Sequence, residues 1–364
     1  MMVYECVNKY PDYDGSIFQY VLRDKYGKIV NVDKDELKKA IRTGKVIVKN
    51  LKLTKDNRLI DKKYENFKVS RTGSEGTMTT YRKLLSESRW SESARQELAD
   101  RIENIIYLDI VDDKNQRIGY IHTPEIESCL RNIEHFYNRI EVKESSTVLA
   151  EEVYYTCSIE GAKTTIKRTK QVMKDNKPKD YSEKMVYNSY RATKYLNIVA
   201  QGRLLTEKEL FELWRILTKD ACENMDIQGP RYRIGNVQVG TYFPPDTKVV
   251  EPLMKCFFEF MHKKDNLHVL VKAAILHFYF VFIHPFCDGN GRTTRMISTD
   301  YLIRMGLDKF KAISLSKEIH ATVKSYELAF DNSENEYNDI TFFIEYYLNM
   351  IQTTLTNIYY SVNP

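Results

Sequence analysis

"FIHPFCDGNGRTTRM", residues 282–296, places one His, one Asp, one Asn, two Gly and two Arg directly behind an apolar run. That run, "LHVLVKAAILHFYFVFI" at 267–283, is interrupted by Lys272 and His277 and falls short of the roughly 20 residues a membrane span needs. It reads as a buried central helix, with His268 and His277 as satisfied structural histidines. Pro285 and the glycines end it, and a second helix is expected from near Arg292 to Arg304, with Gly306 past its end. Gly289 and Gly291 let successive backbone N–H groups converge at the start of that helix, a concavity that attracts anions. Arg292 and Arg295 stand against the helix macrodipole there, a penalty of roughly 0.3–1 kcal/mol each, which a bound anion would relieve. Their three-residue spacing puts both on one helical face, where two phosphates of a chain could be held. Asp288 would repel a bare phosphate but suits Mg²⁺, which takes one or two carboxylates together with phosphate oxygens. His284 is a base whose ordinary pKa suits accepting a proton from a hydroxyl near neutral pH. A Walker A loop is excluded, since no Lys-Ser/Thr pair follows the glycine.

The rest of the 364 residues sets the frame. Hydrophobic residues make up 43% and charged ones 29%, enough apolar material for a real core. The six cysteines are scattered, with no C-x-x-C pair and no metal-ligand spacing beside the histidines, so a reduced, cytoplasmic setting is expected. The opening "MMVYECVNKYPDYDG" has no apolar core of a leader peptide. Residues 1–63 carry 15 Lys and Arg against 9 Asp and Glu, so the +5 of the whole chain resides there.

Residues 16–32, "SIFQYVLRDKYGKIVNV", read as two strands around "DKYG". "DKDELKKAIRTG" reads as a short helix with an acidic start and a closing Gly44, and "KVIVKNLKLT" as one further strand. Residues 1–63 are therefore expected as a small basic α/β module, 64–90 as a linker rich in Gly, Ser and Thr, and 91–144 as a helical connecting region. Helical patterns dominate from Ser91, in "SESARQELADRIENII", "TPEIESCLRNIEHFYNRI", "STVLAEEVYYTCSIEG" and "TEKELFELWRILTK". The exception is "RYRIGNVQVGTYFPPDTKVVEP", 231–252, where "IGNVQVGTYF" reads as paired short strands ended by Pro244 and Pro245.

"HPFCDGNGRTTR" matches every defined position of the Fic family motif, H-x-F-x-D/E-G-N-G-R-x-x-R, and resembles the active-site loop of protein adenylyltransferases. The resemblance covers roughly residues 145–350. It implies a mainly α fold, a Fic-type helical bundle over 145–364 with a β-hairpin flap, behind the small α/β module. The second half of the loop, altered in the related Doc kinases, is intact here, which favours AMP transfer over phosphoryl transfer. By the resemblance His284 is the base, Phe286 anchors the loop in the core, and Asp288 carries Mg²⁺. Asn290 and the loop amides at Gly289 and Gly291 would hold the α-phosphate of ATP, Arg292 the β-phosphate and Arg295 the γ-phosphate. A second segment, "YYTCSIEGAK" at 154–163, puts Glu160 at the end of a helix, against the negative end of its dipole, where an external cation would relieve it. Thr156, Glu160 and Gly161 match the family's inhibitory pattern S/T-x-x-x-E-G/N. The resemblance is thus to the self-inhibited class with an N-terminal inhibitory helix, in which the Glu occupies the γ-phosphate place on Arg295.

In Fic proteins the hairpin before the motif receives the target. Val237, Gln238, Val239, Gly240 and Thr241 hold that place here, and an exposed edge there would bind an extended peptide by main-chain hydrogen bonds. "SYELAFDN" resembles the family's adenine-side segment, with Leu328 and Asn332 in the matching positions and Ser325 where an aromatic is common. The expected partner is a target protein with an acceptor hydroxyl, the chain itself included. Family members often dimerise, but no residue shows a homodimer here, and no membrane partner is expected. Other readings of the same residues are removal of AMP from a modified protein and transfer of another phosphate-linked group. A reading from another class makes residues 1–63 a nucleic-acid or acidic-partner module. The modest charge tells against it, as does aromatic spacing (Tyr10, Tyr13, Phe18, Tyr20, Tyr26) that alternates as a core would.

Overall fold

A computed structural model of the chain describes residues 2–11, 16–53, 57, 59–61, 80–199, 202–240 and 242–362. They form two compact units. One comprises Met1–Leu108, Gly119–Glu127 and Asn332–Phe342, the other Asp109–Ile118, Ser128–Asp331 and Phe343–Pro364.

The first unit opens with β1 (Met2–Pro11), β2 (Ile17–Asp24), β3 (Ile29–Asp33), α1 (Lys34–Arg42) and β4 (Val46–Val48). These strands make a sheet of order β3-β2-β1-β4, antiparallel except for the parallel β1–β4 edge that α1 makes possible. The α1 helix starts because the Asp33 carboxylate accepts from Asp35 N and Glu36 N, and its acidic first turn and basic last turn follow the dipole. The single strand expected from "KVIVKNLKLT" is two, β4 and β5 (Leu51–Leu53), and β5 pairs with β6 (Leu59–Asp61). The break falls at Asn50, whose side-chain amide accepts from Cys6 N at 2.8 Å and donates to Cys6 O at 2.7 Å.

The aromatic alternation is corrected by the structure. Tyr20 is buried, but Tyr10, Phe18 and Tyr26 are exposed, and Tyr13 lies outside the described residues. A register shift between Tyr10 and Pro11 opposite Ile17 turns the start of β2, so Phe18 does not follow Tyr20 into the core.

The core of this unit includes Ala99 on α3 (Glu92–Asn104), beyond the expected module boundary. The expected linker contains the helix α2 (Tyr81–Glu87), and residues 64–79 lie outside the described ones. Distant segments close the unit: the Tyr81 hydroxyl donates to Asp339 Oδ2 at 2.7 Å, and Ile121 N donates to Thr341 Oγ1 at 2.7 Å. The expected helical connecting region also holds a two-stranded ladder of β7 (Ile106–Val111) and β8 (Arg117–Tyr120), followed by α4 (Pro124–Arg139).

The second unit is helical. It contains α5 (Ser146–Ile159), α6 (Ile166–Asp175), α7 (Tyr181–Ile198), α8 (Glu207–Thr218), α9 (Thr247–His262), α10 (Val269–Ile283), α11 (Asn290–Arg304), α12 (Leu315–Ala321) and α13 (Val323–Ser333), with most of α14 (Thr341–Val362). Helix α10 is buried on all sides, as its largely apolar run requires. Lys272 is buried in it without being stranded, donating to Lys263 O at 2.6 Å and to Asp265 Oδ2 at 2.9 Å. His277 is buried with both ring nitrogens bonded, to the Tyr326 hydroxyl and Ser298 Oγ. His268 is exposed instead, and caps α10 by accepting from Leu270 N.

The hairpin expected over 231–252 is nearly absent among the described residues. Two isolated bridges remain, Gln228–Arg233 and Val239–Tyr242, and α9 begins at Thr247, inside the expected segment. Its glycines weaken a ladder, and Asp246 caps the helix by accepting from Lys248 N. No described helix is long and apolar enough to cross a membrane.

Asp339→Ala should lower the stability of the chain by about 1–3 kcal/mol, because it leaves the buried Tyr81 hydroxyl without its acceptor. Urea denaturation followed by tryptophan fluorescence would read the loss, and an unchanged midpoint would remove Asp339 from the supports of this unit.

Candidate active site

Helix α10 ends on His284, which takes the left-handed conformation (φ 49°), and α11 starts after Gly289, also left-handed (φ 76°). Helix α11 thus begins at Asn290, two residues before the sequence expectation, which places Arg292 in its first turn. Four residues, 285–288, bridge the two caps. Phe286 is fully buried and stacks on Trp214 of α8, ring centroids 4.7 Å apart. The Trp214 indole also donates to Asp288 O at 2.9 Å. Asn290 uses its whole amide on the loop backbone, accepting from Phe286 N at 3.0 Å and donating to Phe286 O at 2.8 Å. A Cβ at Gly289 would meet Thr218 Cγ2 at 2.9 Å, so the close approach of α8, as well as the backbone angle, calls for glycine there.

His284 Nδ1 lies 3.1 Å from Val281 O, an acceptor only, so Nδ1 carries the hydrogen and Nε2 keeps its lone pair. Burial lowers the imidazole pKa to about 4, helped by the charge of Arg233 and opposed by the Val281 contact. The imidazole is therefore neutral, and basic at Nε2, throughout the physiological range.

Arg292 and Arg295 are both buried. Arg292 Nη1 donates to Leu217 O at 3.2 Å, its Nη2 lies 3.8 Å from Asp288 Oδ1, and its Nε has no partner. A buried guanidinium with an idle donor beside a helix N-terminus is a site prepared for an anion. Arg295 is fully engaged by α5: Nε donates to Thr156 Oγ1 at 2.8 Å, and Nη2 donates to Thr156 O at 3.0 Å and to Glu160 Oε1 at 2.6 Å. Glu160 is the C-cap of α5, and Gly161 follows at φ 82°, the helix stop read from the sequence. Burial pushes the Glu160 carboxyl up, but Arg295 and Arg292 outweigh it and hold the group below the ordinary carboxylate value. A Cβ at Gly291 would run into Glu160 Oε1, so a larger residue there would push the carboxylate off its present place.

Asp288 is the carboxylate of the loop. Its Oδ1 accepts from Gly289 N at 2.5 Å and its Oδ2 from Glu223 N at 2.9 Å. Among the described residues no group of three or more His, Cys, Asp or Glu could hold a metal by itself. One partly exposed carboxylate beside an anion pocket still fits a magnesium ion carried in on phosphate oxygens, since that ion keeps several waters and needs few protein ligands.

Val239 and Tyr242 exchange two backbone hydrogen bonds of 2.9 Å each, and the Tyr242 hydroxyl donates to Phe282 O at 2.8 Å, tying this turn to the end of α10. Gln238 donates to Gly240 O at 2.9 Å, Val237 is half-buried, and Thr241 lies outside the described residues. Leu328 is exposed on α13, and Asn332, near the end of that helix, accepts through its carbonyl from Asn335 Nδ2.

Arg233 escaped the sequence reading. Buried, it donates through Nε to His284 O at 2.7 Å and through Nη2 to Pro245 O at 2.5 Å. Trp214, Glu223 and Gln228, which also hold the loop, were equally unforeseen, because nothing local in "RYRIG" or "ACENMDIQG" distinguishes them.

Residues 204–302 match the model of the Fic/DOC family. The chain is 29% identical over 221 residues to the protein adenylyltransferase Fic of Drosophila erecta, covering 58% of this chain and 41% of the relative. The corresponding protein of Drosophila melanogaster is 28% identical over 58% of this chain and 42% of its own length. The chain thus spans less than half of the curated relatives it matches. Two solved structures share the fold. One is a Fic family protein from Desulfovibrio desulfuricans (TM-score 0.59, 20% identity, 67% of this chain and 77% of that one). The other is Fic-1 of C. elegans (TM-score 0.53, 18% identity, 77% and 81%).

Between the ordinary value of 6.5 and about 4, the unfolded chain binds a proton at His284 that the folded chain does not. Folded stability should therefore fall as pH drops through that window. An NMR titration of the imidazole should give a midpoint near 4, and a midpoint near 6.5 would show the ring to be solvated.

Proposed function

We propose that the chain transfers AMP from ATP to a side-chain hydroxyl of a protein, and that Glu160 holds this activity off. What supports the reading most is the Arg292–Arg295 pair. Two buried cations stand at one helix N-terminus, one with an idle donor and the other occupied by a carboxylate. The relatives' name, protein adenylyltransferase Fic, agrees with it.

In this reading the acceptor oxygen attacks the α-phosphorus. One P–O bond forms to the hydroxyl, the α–β bridging bond breaks, and pyrophosphate leaves. His284 Nε2 takes the hydroxyl proton. The amides at Gly289 and Gly291 and the guanidinium of Arg292 oppose the growing charge on the phosphates, while Asn290 keeps the loop in shape to do so. Asp288 would hold magnesium, which supplies charge neutralisation on the phosphate chain. Phe286 sets the loop by packing, and the turn at Val237–Gly240 would align the acceptor segment by main-chain contacts. Arg295 would take the terminal phosphate once Glu160 leaves, and Leu328 and Asn332 would face the adenine. Thr156 and Gly161 place the blocking carboxylate.

A second reading rests on Glu160 standing close enough to His284 to raise its pKa electrostatically. A carboxylate and an imidazole sharing one pocket could align water to remove AMP from a modified protein. Incubating such a protein with the chain and magnesium, without ATP, separates the two reactions.

Glu160→Gly should raise label transfer from radioactive ATP at least about tenfold. His284→Ala in that background should lower it about 10²–10⁴-fold, as expected for loss of a positioned base. Transfer that is unmoved by the first change, on added proteins and on the chain itself, would refute the blocking role. Transfer that survives the second would refute the base.

A further inference from the structure

We infer that Cys222 and Cys287 form a reversible disulfide that freezes the active-site loop, a modification site whose effect on activity rests on the transfer reading above. The two sulfurs lie 3.7 Å apart, although 65 residues separate them in sequence. A disulfide needs about 2.05 Å, so a closure of roughly 1.7 Å suffices. Both cysteines are free, Cys287 buried and Cys222 half-buried. A cavity of about 520 Å³ lined by Trp214, Thr218, Cys222 and Gln228 brings a small oxidant to the outer sulfur.

The segment carrying Cys222 already grips the loop at two neighbouring points. Glu223 N donates to the Asp288 carboxylate at 2.9 Å, and Cys287 N donates to Gln228 Oε1 at 3.0 Å. A covalent bond at Cys287 would make that grip permanent and hold Asp288 on Glu223, so its carboxylate could not turn towards a metal-bound phosphate.

The oxidant is a peroxide. The Cys222 sulfur attacks one peroxide oxygen, giving a sulfenic acid and one water. The Cys287 sulfur then displaces the second oxygen as water and forms the S–S bond. Two electrons pass from the thiols to the O–O bond, and both thiol hydrogens end in water. A dithiol reductant reverses the step by thiol–disulfide exchange.

The test treats Glu160→Gly protein with hydrogen peroxide, maps cross-linked peptides by mass spectrometry and measures transfer before and after dithiothreitol. The inference expects a Cys222–Cys287 peptide and a fall in transfer of about 10- to 100-fold, the scale of an ångström-sized misplacement, restored by dithiothreitol. Cys222→Ser protein should keep its untreated rate and lose the response. Absence of that peptide, or a cross-link that leaves the rate unchanged, overturns the inference. If untreated Glu160→Gly protein shows no transfer, the transfer reading fails separately. Hydrogen exchange at residues 286–291 then decides: slower exchange after oxidation supports the lock, and unchanged exchange overturns it.

Discussion

Two helices that are buried along most of their length have to be joined across four residues, and everything at this site follows from that constraint. A connection so short can reverse direction only by placing a left-handed residue at each end. His284 and Gly289 are those residues. The strain of a left-handed histidine persists because its surroundings over-determine it: the ring bonds to Val281 O, and its own carbonyl accepts from Arg233. Phe286 fills the space between the caps and leaves Asp288 at the rim. The geometry that closes the bundle thus also places the His284 ring, the Asp288 carboxylate and the N-terminus of α11 within one short loop.

The Glu160–Arg295 contact shows how a buried ion pair can be retained without being chiefly a source of stability. Desolvating two charges offsets much of their attraction, but breaking the pair from one side leaves an uncompensated charge. Under the proposed function Arg295 differs from most such partners, because a phosphate would replace the carboxylate. Thr156 makes two further bonds to the guanidinium, so Glu160 is not its only partner on α5.

The loop was legible because its chemistry is contiguous. His284, Asp288, Asn290, Arg292 and Arg295 fall within twelve residues, and helical spacing alone puts the arginines together. Glu160 was legible for a related reason, its helix stop at Gly161 being written beside it. The supports were not legible. Trp214, Glu223, Gln228 and Arg233 reach the loop from 51 to 74 residues away, and such contacts are a property of packing rather than of any local pattern. The turn before α9 was overread as strands, since Val237 and Val239 alternate as strand residues do while the glycines around them prevent a ladder. In the first unit the alternation of aromatics misled in the same way, because Phe18 falls on a register shift at the start of β2 and Tyr26 lies in the turn after it. The unions of Tyr81 with Asp339 and of Ile121 with Thr341 have no signal in sequence at all.

Arg233 grips backbone carbonyls at both ends of its reach, one at His284 and one at Pro245. A side chain so placed ties the strip that runs into α9 to the backbone of His284 at the end of α10. Displacing that strip would pull on the His284 backbone, so the start of α9 and the end of α10 are mechanically coupled.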